Sequence, residues 1–487
     1  MGQDAPHLTP RAGTLELSER MKLAVLGLDS VPPELMFDKL LSRLPNFRRM
    51  FERGLHGKLR TCDPPITVPA WMVMMTGRDP GELGIYGFRH RKGYSYNEGY
   101  IVNSAHVREK TVWDVLSEKR KRSIVLGVPP SYPPRAVRNS ASVSCFITPS
   151  AERPFTSPPE LKEEVLKAAG GKYIFDVTFR TEDRDAIKKE LFEMTEKRFD
   201  VAEYLVSSRP WDFFMMHEIG FDRLHHAFWK FFDPAHPKYV AGNKYEAIDL
   251  EYYSMVDRRV GRLLDLFGED CPTLVVSDHG SKAMAGGFCV NQWLEREGYL
   301  TYKNRPTAVT DIDKADVDWS RTKAWGWGGY YARIFFNVKG RERDGTVSPE
   351  ELEAEKRRLT EKVMEITDPT GVRMENRVLE PAKTYTRVRG DAPDLMVYFG
   401  DLNWRSAGTV GHDSTYLSEN DTGPDDSVHS MDGILILSNP RKDLGGKEVT
   451  GALAQDIGST ILAMMGVEHG PEVVPGKPLA ALVEGGK

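Results

Sequence analysis

Residues 22–29 read KLAVLGLD, a short apolar run that ends in an acid. A continuous run of this length is typical of a buried parallel strand. Similar runs recur at 123–128, 212–216, 272–277, 332–338, 395–399 and 433–438. Helices are predicted between the runs at 38–53, 111–120, 184–206, 244–267, 349–366 and 450–465. This alternation predicts an α/β fold with a mostly parallel central sheet and helices on both faces.

The chain of 487 residues shows no internal repeat or low-complexity linker, so residues 21–487 are predicted to form one domain. Residues 1–20 are polar and are expected to be a loose N-terminal tail without a signal or anchor pattern. Two irregular stretches, near 129–183 and 301–330, are predicted to be loop insertions. They are either lids that shape a pocket or simple packing of an irregular edge, and the sequence leaves both interpretations open.

The charge pattern argues against nucleic acid or an anionic membrane as a partner. The formal net charge is −5, and lysine and arginine are spread among acidic residues. No apolar run reaches the roughly 18 residues that a membrane span needs. The four cysteines are far apart and form no CxxC pair, which indicates a reducing compartment. We therefore expect a cytoplasmic protein that acts on a small molecule, and its oligomeric state stays open.

Residues 64–71, PPITVPAW, place one hydroxyl between prolines just before an apolar run. Pro69 suits the first turn of a helix that would continue to about Thr76. Thr67 would then lie at a helix N-terminus, where free N–H groups and the helix dipole favour an anion such as phosphate. Thr67 is either a nucleophile, which requires a base or metal to activate it, or an ordinary helix cap.

Other candidate residues follow predicted strands, where ligands bind in open α/β sheets. Asp29 follows the first run, and Asp278 and His279 follow the run TLVVS at 273–277. An acid and a histidine at a strand end can turn toward the same crevice. The alternative for Asp29 is a turn or a cap.

A helix that starts near Asp222 would place Asp222 and His226 at i and i+4, close enough to bind one ion together. The alternatives are a cap for Asp222 and a packed ring for His226. His225 would point about 100° away and is left out. His429, in SVHSMDG, precedes a strand and by itself resembles a loop histidine.

The combination of these residues resembles the alkaline phosphatase superfamily. Within it, the chain is similar to the type I phosphodiesterase/nucleotide pyrophosphatase branch and to related predicted phosphohydrolases and phosphomutases. The resemblance covers about residues 22–482 and implies an alkaline-phosphatase-like fold. It rests on VLGLD at 25–29, the Thr67 segment with TGRDPGELGIYGF at 76–88, VPPSYPP at 128–134, DRLHHAFW at 222–229, VVSDHG at 275–280, APDL at 392–395 and HSMDGILILS at 429–438.

The resemblance implies two metal sites and a phosphothreonine intermediate on Thr67. One site would use Asp29, Thr67, Asp278 and His279, and the other would use Asp222, His226 and His429. The mixed oxygen and nitrogen ligands suit zinc, with manganese or iron as alternatives. The implied activity is hydrolysis of phosphate diesters or pyrophosphates, with a small-molecule phosphate ester as substrate.

Substrate recognition is less defined. A threonine nucleophile beside apolar residues resembles the diesterase branch, with Trp71 and Arg89 as candidate substrate contacts. Phe88 follows Gly87 where the branch often has asparagine, so phosphate recognition is expected to differ. Two alternatives remain open: a phosphomonoesterase or phosphomutase of the same superfamily, and a non-catalytic binding protein stabilised by metal.

Overall fold

The computed structural model describes residues 21–486, so the predicted tail over 1–20 lies outside the described residues. The helices in this part of the chain are α1 (Pro45–Arg53), α2 (Thr67–Thr76), α3 (Pro80–Leu83), α4 (Val112–Glu118), α5 (Leu161–Ala168), α6 (Arg184–Ser208), α7 (Gly220–Phe232), α8 (Ile248–Phe267), α9 (Val290–Arg296), α10 (Pro349–Met364), α11 (Pro381–Thr384), α12 (Ile457–Met464) and α13 (Ala480–Gly486). All six predicted interstrand helices have a counterpart among them, and the helix predicted to end near Thr76 does so.

The strands fall into several sheets. They are β1 (Leu23–Leu28), β2 (Leu55–Arg60), β3 (Arg89–Arg91), β4 (Gly99–Ile101), β5 (Ser123–Leu126), β6 (Ser140–Val143), β7 (Thr156–Ser157), β8 (Phe213–Glu218), β9 (Thr273–Val276), β10 (Gly280–Ala283), β11 (Gly286–Cys289), β12 (Tyr302–Asn304), β13 (Asp316–Val317), β14 (Ala324–Trp327), β15 (Ala332–Phe336), β16 (Arg377–Leu379), β17 (Leu395–Tyr398), β18 (Trp404–Ala407), β19 (Tyr416–Leu417), β20 (Ser427–Ser430), β21 (Asp432–Ser438), β22 (Lys447–Glu448) and β23 (Ala452–Leu453).

The largest sheet has the order β22-β2-β21-β9-β1-β8-β5-β6-β7, and β23 also pairs with β2. Strands β9, β1, β8, β5 and β6 run parallel to one another. Strand β21 is antiparallel to both of its neighbours, and β7 is antiparallel to β6. The predicted mostly parallel central sheet is therefore confirmed, with β1 at its centre.

Both faces of this sheet are covered. Along β1, Ala24, Leu26 and Leu28 belong to one apolar cluster, which includes residues of α1, α6, α7 and α8. Leu23 and Val25 belong to a second cluster, which includes residues of α2, α4 and α12. Because successive strand residues point to opposite faces, a strand buried on both sides has to be apolar throughout, as LAVLGL at 23–28 is.

Two of the predicted strands do not lie in the central sheet. The runs at 332–338 and 395–399 form β15 and β17 of a separate antiparallel sheet with the order β14-β15-β17-β16. The assignment of these runs to one parallel sheet was wrong, because a short apolar run has the same appearance in either kind of sheet.

The two irregular stretches have different structures. Residues 129–183 contribute β6 and β7 to the edge of the central sheet and also carry α5. Within 301–330, Trp319, Trp325 and Trp327 pack in the apolar cluster of the second sheet, which favours packing over a lid for these three rings. That either stretch is an insertion stays a prediction. Within residues 21–486, no helix is both long and apolar enough to span a bilayer.

Gly27 in β1 provides a test of how tightly α2 packs on the sheet. A Cβ atom at Gly27 would lie 2.4 Å from Cη2 of Trp71, which is closer than atoms can pack. We expect Gly27→Ala to lower the free energy of unfolding by about 1–3 kcal/mol in urea denaturation, because overpacking forces neighbours to move. In a Trp71→Phe background, which lacks the colliding atoms, the same substitution should cost less. An equal cost in both backgrounds would contradict this packing.

Candidate active site

The candidate residues meet at the carboxyl ends of three adjacent strands. Asp29 directly follows β1, Asp278 lies just beyond β9, and Asp222 is in the first turn of α7, which follows β8. Since β1 lies between β8 and β9, these three acids are brought to one edge of the sheet. This is the crevice where ligands bind in open α/β sheets.

His429 reaches the same crevice by a different route. It lies on β20, which pairs antiparallel with β10, and Ser281 of β10 is its register partner. Strand β10 begins at Gly280, immediately after His279. The antiparallel β10–β20 pair therefore brings His429 beside His279, and the two rings stack with centroids 3.8 Å apart.

The first group of side chains consists of Asp29, Asp278 and His279. One ligand atom from each lies within 4.8 Å of the other two. His279 Nε2 is 3.1 Å from Asp278 Oδ2 and 3.8 Å from Asp29 Oδ1. Thr67 adjoins this group, with its Oγ1 3.4 Å from His279 Nε2. All four residues are buried.

The second group consists of Asp222, His226 and His429, again with one ligand atom from each within 4.8 Å of the others. His226 Nε2 is 3.2 Å from Asp222 Oδ1 and 3.3 Å from His429 Nε2. His225 points away and contacts Ser281 and Tyr253, as the helical direction predicts.

The three histidines are oriented in the same way. Nδ1 of His279 donates to the Gly280 carbonyl, and Nδ1 of His429 donates to the Pro65 carbonyl. Nδ1 of His226 donates to the Asp425 carboxylate at 2.7 Å. These hydrogen bonds assign the proton to Nδ1 and leave the Nε2 lone pairs directed toward the acids. Metal-binding histidines are usually held in this way.

The three acids are oriented just as consistently. Asp29 Oδ2 accepts from Trp71 Nε1, Asp278 Oδ1 accepts from the Ser30 N–H, and Asp222 Oδ2 accepts from Arg223. The other oxygen of each acid is buried and receives no hydrogen bond from any described residue. Buried carboxylate oxygens are rarely left without a partner. The free oxygens and the histidine lone pairs therefore fit two cations.

The pKa values indicate the same excess of negative charge. Burial raises the pKa of Asp29 well above its usual value, and the charges of Asp278 and Asp222 raise it further. Burial alone would lower the pKa of His226, but Asp425 and other neighbours outweigh burial and raise it well above its usual value. The site thus favours added positive charge, which a divalent ion supplies.

Trp71 does not have the role expected from the sequence. Its side chain is fully buried between α2 and β1, where its N–H donates to Asp29. A ring beneath the sheet edge has no access to substrate, so its assignment as a substrate contact was wrong. His217, at the end of β8, also bonds Asp29 Oδ2, at 2.7 Å. The two residues together fix the orientation of this carboxylate.

Sequence reasoning missed two further residues of the site. Asp425 contacts His226, and also forms ion pairs with Arg180 and Arg405. Tyr330 stacks on His429 with centroids 3.7 Å apart, and its hydroxyl is 3.0 Å from His226 Nε2. The pair of acids at 425–426 just before the His429 segment was an available signal for the first, whereas nothing local marked the second.

A cavity of about 440 Å³ opens beside the two groups. Its wall includes Ile66, which precedes Thr67, and Tyr330, which covers His429. The cavity also has apolar side chains and several arginines, among them Arg89, the second candidate substrate contact. Both irregular stretches contribute to this wall, the first through Phe146, Ile147 and Phe179 and the second through Gly328, Gly329 and Tyr330.

The geometry can be compared with known proteins. A family model described as type I phosphodiesterase / nucleotide pyrophosphatase matches residues 23–425. The chain belongs to this family. The expected superfamily is confirmed, and the protein is a phosphodiester hydrolase by class. The match includes Thr67 and the three acids of the two groups but ends before His429. The pairing of β20 with β10 places His429 in the site.

Solved structures with a similar fold include human ectonucleotide pyrophosphatase/phosphodiesterase 5, at 13% identity and a TM-score of 0.55, covering 93% of this chain and 96% of that chain. An inactive murine form of that protein in complex with AMP has the same identity and score, covering 94% and 97%. At this identity the likeness shows the fold alone. The comparison with curated proteins finds no match.

Metal content tests the two groups. We expect the protein to contain two divalent ions per chain by elemental analysis, and Asp222→Ala to retain one. Removal of the ions with a chelator should lower the melting temperature, and readdition should restore it, because ions that bind only the folded state stabilise it by about 2.7 kcal/mol at 100 times Kd. A chelated protein with an unchanged melting temperature would contradict the assignment.

Two substitutions outside the groups should weaken the sites separately. Trp71→Phe removes the donor to Asp29, and Asp425→Ala removes the acceptor of His226. Each should weaken one ion by about 10–100-fold in competition with a chelating dye, as loss of a supporting hydrogen bond does. The two variants serve as controls for each other. Equal weakening of both ions in either variant would show that the effect is general destabilisation.

Proposed function

We propose that this protein is a two-metal-dependent hydrolase of phosphate diesters or pyrophosphates that acts through a phosphothreonine on Thr67. One observation carries the proposal. Three carboxylate oxygens without a hydrogen-bond partner and three imidazole lone pairs lie together beside the Thr67 hydroxyl. Family membership supports the reaction class. The donor set of oxygen and nitrogen atoms supports zinc, with manganese or iron as alternatives.

Thr67 is suited to the role by its place at the start of α2. The unpaired N–H groups and the dipole of this helix favour the anionic phosphoryl group. Asp29, Asp278 and His279 would hold one ion together with Thr67, and Asp222, His226 and His429 would hold the other. Bound ions would lower the pKa of the threonine hydroxyl and would stabilise the charge that develops on the leaving oxygen.

The proposed reaction then has two displacement steps at phosphorus. The Thr67 oxygen forms a bond to phosphorus as the bond to the leaving oxygen breaks on the opposite side. Water next breaks the bond between phosphorus and Thr67, releases the phosphate product and regenerates the hydroxyl. His226 and His429 remain ligands throughout, because their Nδ1 protons are committed to Asp425 and the Pro65 carbonyl.

The substrate is proposed to be a small phosphate ester that enters the 440 Å³ cavity. The murine structure in complex with AMP supports a nucleotide-sized ligand. A phosphomonoesterase or phosphomutase is the second candidate, because arginines line the cavity and such side chains can clamp a dianionic phosphate. The proposed cytoplasmic location is supported by the four cysteines, all of which are free.

Thr67→Ala tests the nucleophile. We expect turnover to fall at least about 10⁴-fold, as loss of a covalent nucleophile does, while two ions remain bound. Thr67→Ser keeps a hydroxyl and should keep part of the activity. Rapid acid quenching of the wild type with a ³²P-labelled diester should yield labelled protein that Thr67→Ala lacks. Full activity in Thr67→Ala would exclude the assignment.

Hydrolysis of bis-p-nitrophenyl phosphate beside p-nitrophenyl phosphate, with zinc and then manganese, tests the substrate class. We expect a higher kcat/KM for the diester with both metals. A higher value for the monoester would favour the phosphatase or mutase alternative. In that case, transfer of phosphate to an added alcohol would separate the mutase from the phosphatase, since only an acceptor hydroxyl distinguishes them.

A further inference from the structure

The arginines of the active-site cavity differ in how their charge is balanced. Arg180 and Arg405 share Asp425, and Arg223 pairs with Asp176 and Asp222. Arg89 pairs with Asp313 at 2.8 Å. Arg333 forms no ion pair with any carboxylate in the part of the chain that the structure describes. Its guanidinium donates only to the backbone carbonyls of Arg89 and Gly328.

The Arg333 side chain is half-buried. Burial lowers the pKa of its guanidinium and the charge of Arg89 lowers it as well, whereas Tyr331 raises it. Both guanidinium groups lie against the ring of Trp327, at 5.0 Å for Arg89 and 5.3 Å for Arg333.

Asp311, Asp313 and Asp421 line a neighbouring pocket together with the two arginines. Of these acids, Asp313 is within ion-pair distance, and it pairs with Arg89. The donors of Arg333 that remain unused are therefore available to an anion.

Arg333 lies on the wall of the cavity away from the metal-binding groups. Its hydrogen bonds, its ring contact and the nearby Gly87 include no residue of either group. Other residues of the cavity wall do contact the two groups. Arg223 pairs with Asp222, Tyr330 stacks on His429, and Phe179 lies against His226. Arg333 is therefore placed to bind a part of the substrate other than the phosphate that reacts with Thr67.

Part of the cavity wall is apolar. Phe179 stacks near His226 with centroids 5.6 Å apart, and Phe88 contacts Phe146 at 6.1 Å. These rings, with Ile147, line the same cavity as Arg333. They suit a flat or apolar body that links the reacting phosphate to a distant charged group.

We propose that Arg333, assisted by Arg89, forms a binding site for a second anionic group of the substrate, a carboxylate or a phosphate. The proposal rests on the proposed function, because the reacting phosphate is placed at Thr67. The preferred substrate is then a phosphate ester whose apolar part carries an additional negative charge. The planar guanidinium offers two parallel donors, which match the two oxygens of either group.

Three diesters with the same p-nitrophenyl leaving group test the subsite. The second ester group is phenyl, 4-carboxyphenyl or 4-phosphonophenyl. We expect kcat/KM for the two charged esters to exceed that of the phenyl ester about 10-fold or more, as a charged hydrogen bond contributes. The charged ester with the higher value identifies whether the subsite prefers carboxylate or phosphate.

Arg333→Gln should remove the preference for the charged esters, measured in each variant as the ratio of their kcat/KM to that of the phenyl ester, so that a general change in rate cancels. Arg333→Lys keeps the charge but lacks the two parallel donors of the guanidinium, and it should retain part of the preference. Arg48→Gln is the control, since it removes the same charge from an exposed position on α1. A preference that persists unchanged in Arg333→Gln would overturn the proposal, as would equal loss of rate for all three esters in both Arg333 variants.

Binding separates the subsite from the reaction. By calorimetry, the wild type should bind 4-carboxyphenylphosphonate about 10-fold more tightly than phenylphosphonate, and Arg333→Gln should bind both equally. If no diester is hydrolysed but the difference in binding is present, the hydrolase proposal fails and the subsite stands. If the diesters are hydrolysed and the two phosphonates bind wild type equally, the subsite is overturned and the hydrolase proposal stands.

Discussion

The structure depends on buried negative charge that the chain itself neutralises only in part. Asp29, Asp278 and Asp222 each have one oxygen tied to a donor and one free oxygen inside the protein. Unpaired buried carboxylates are among the most costly features a fold can contain. The surrounding histidines do not remove this cost, since their protons face outward. We expect cations bound between these groups to stabilise the arrangement, so that metal binding and folding are coupled.

The fold concentrates this charge through the order of its central strands. Because β1 lies between β8 and β9, residues far apart in sequence end at one edge of the sheet. The antiparallel β10–β20 pair then adds His429 from the C-terminal part of the chain. Around this edge, buried partners such as Trp71, His217 and Asp425 fix each ligand in one orientation. The second sheet and its loops supply the arginines and aromatic rings of the cavity.

Much of this arrangement could be predicted. The apolar run before Asp29, the helix start at Thr67 and the i,i+4 pair at Asp222 and His226 are local patterns, and the structure has each of them where expected. Local patterns failed where two environments look alike in sequence. The run at 332–338 has the appearance of a parallel strand but pairs antiparallel in the second sheet. Trp71 has the appearance of a pocket residue but packs beneath β1.

By itself, the sequence determined the fold class, the family and the candidate residues of the site, because hydrophobic periodicity and strand-end acids depend on neighbours along the chain. Only the tertiary structure decided which partners those residues have. It paired Asp425 with His226, placed Tyr330 over His429 and left Arg333 without an acidic partner among residues 21–486. Such contacts join residues that are distant in sequence, and their geometry is set by how the sheet and its loops pack together, which no local pattern records.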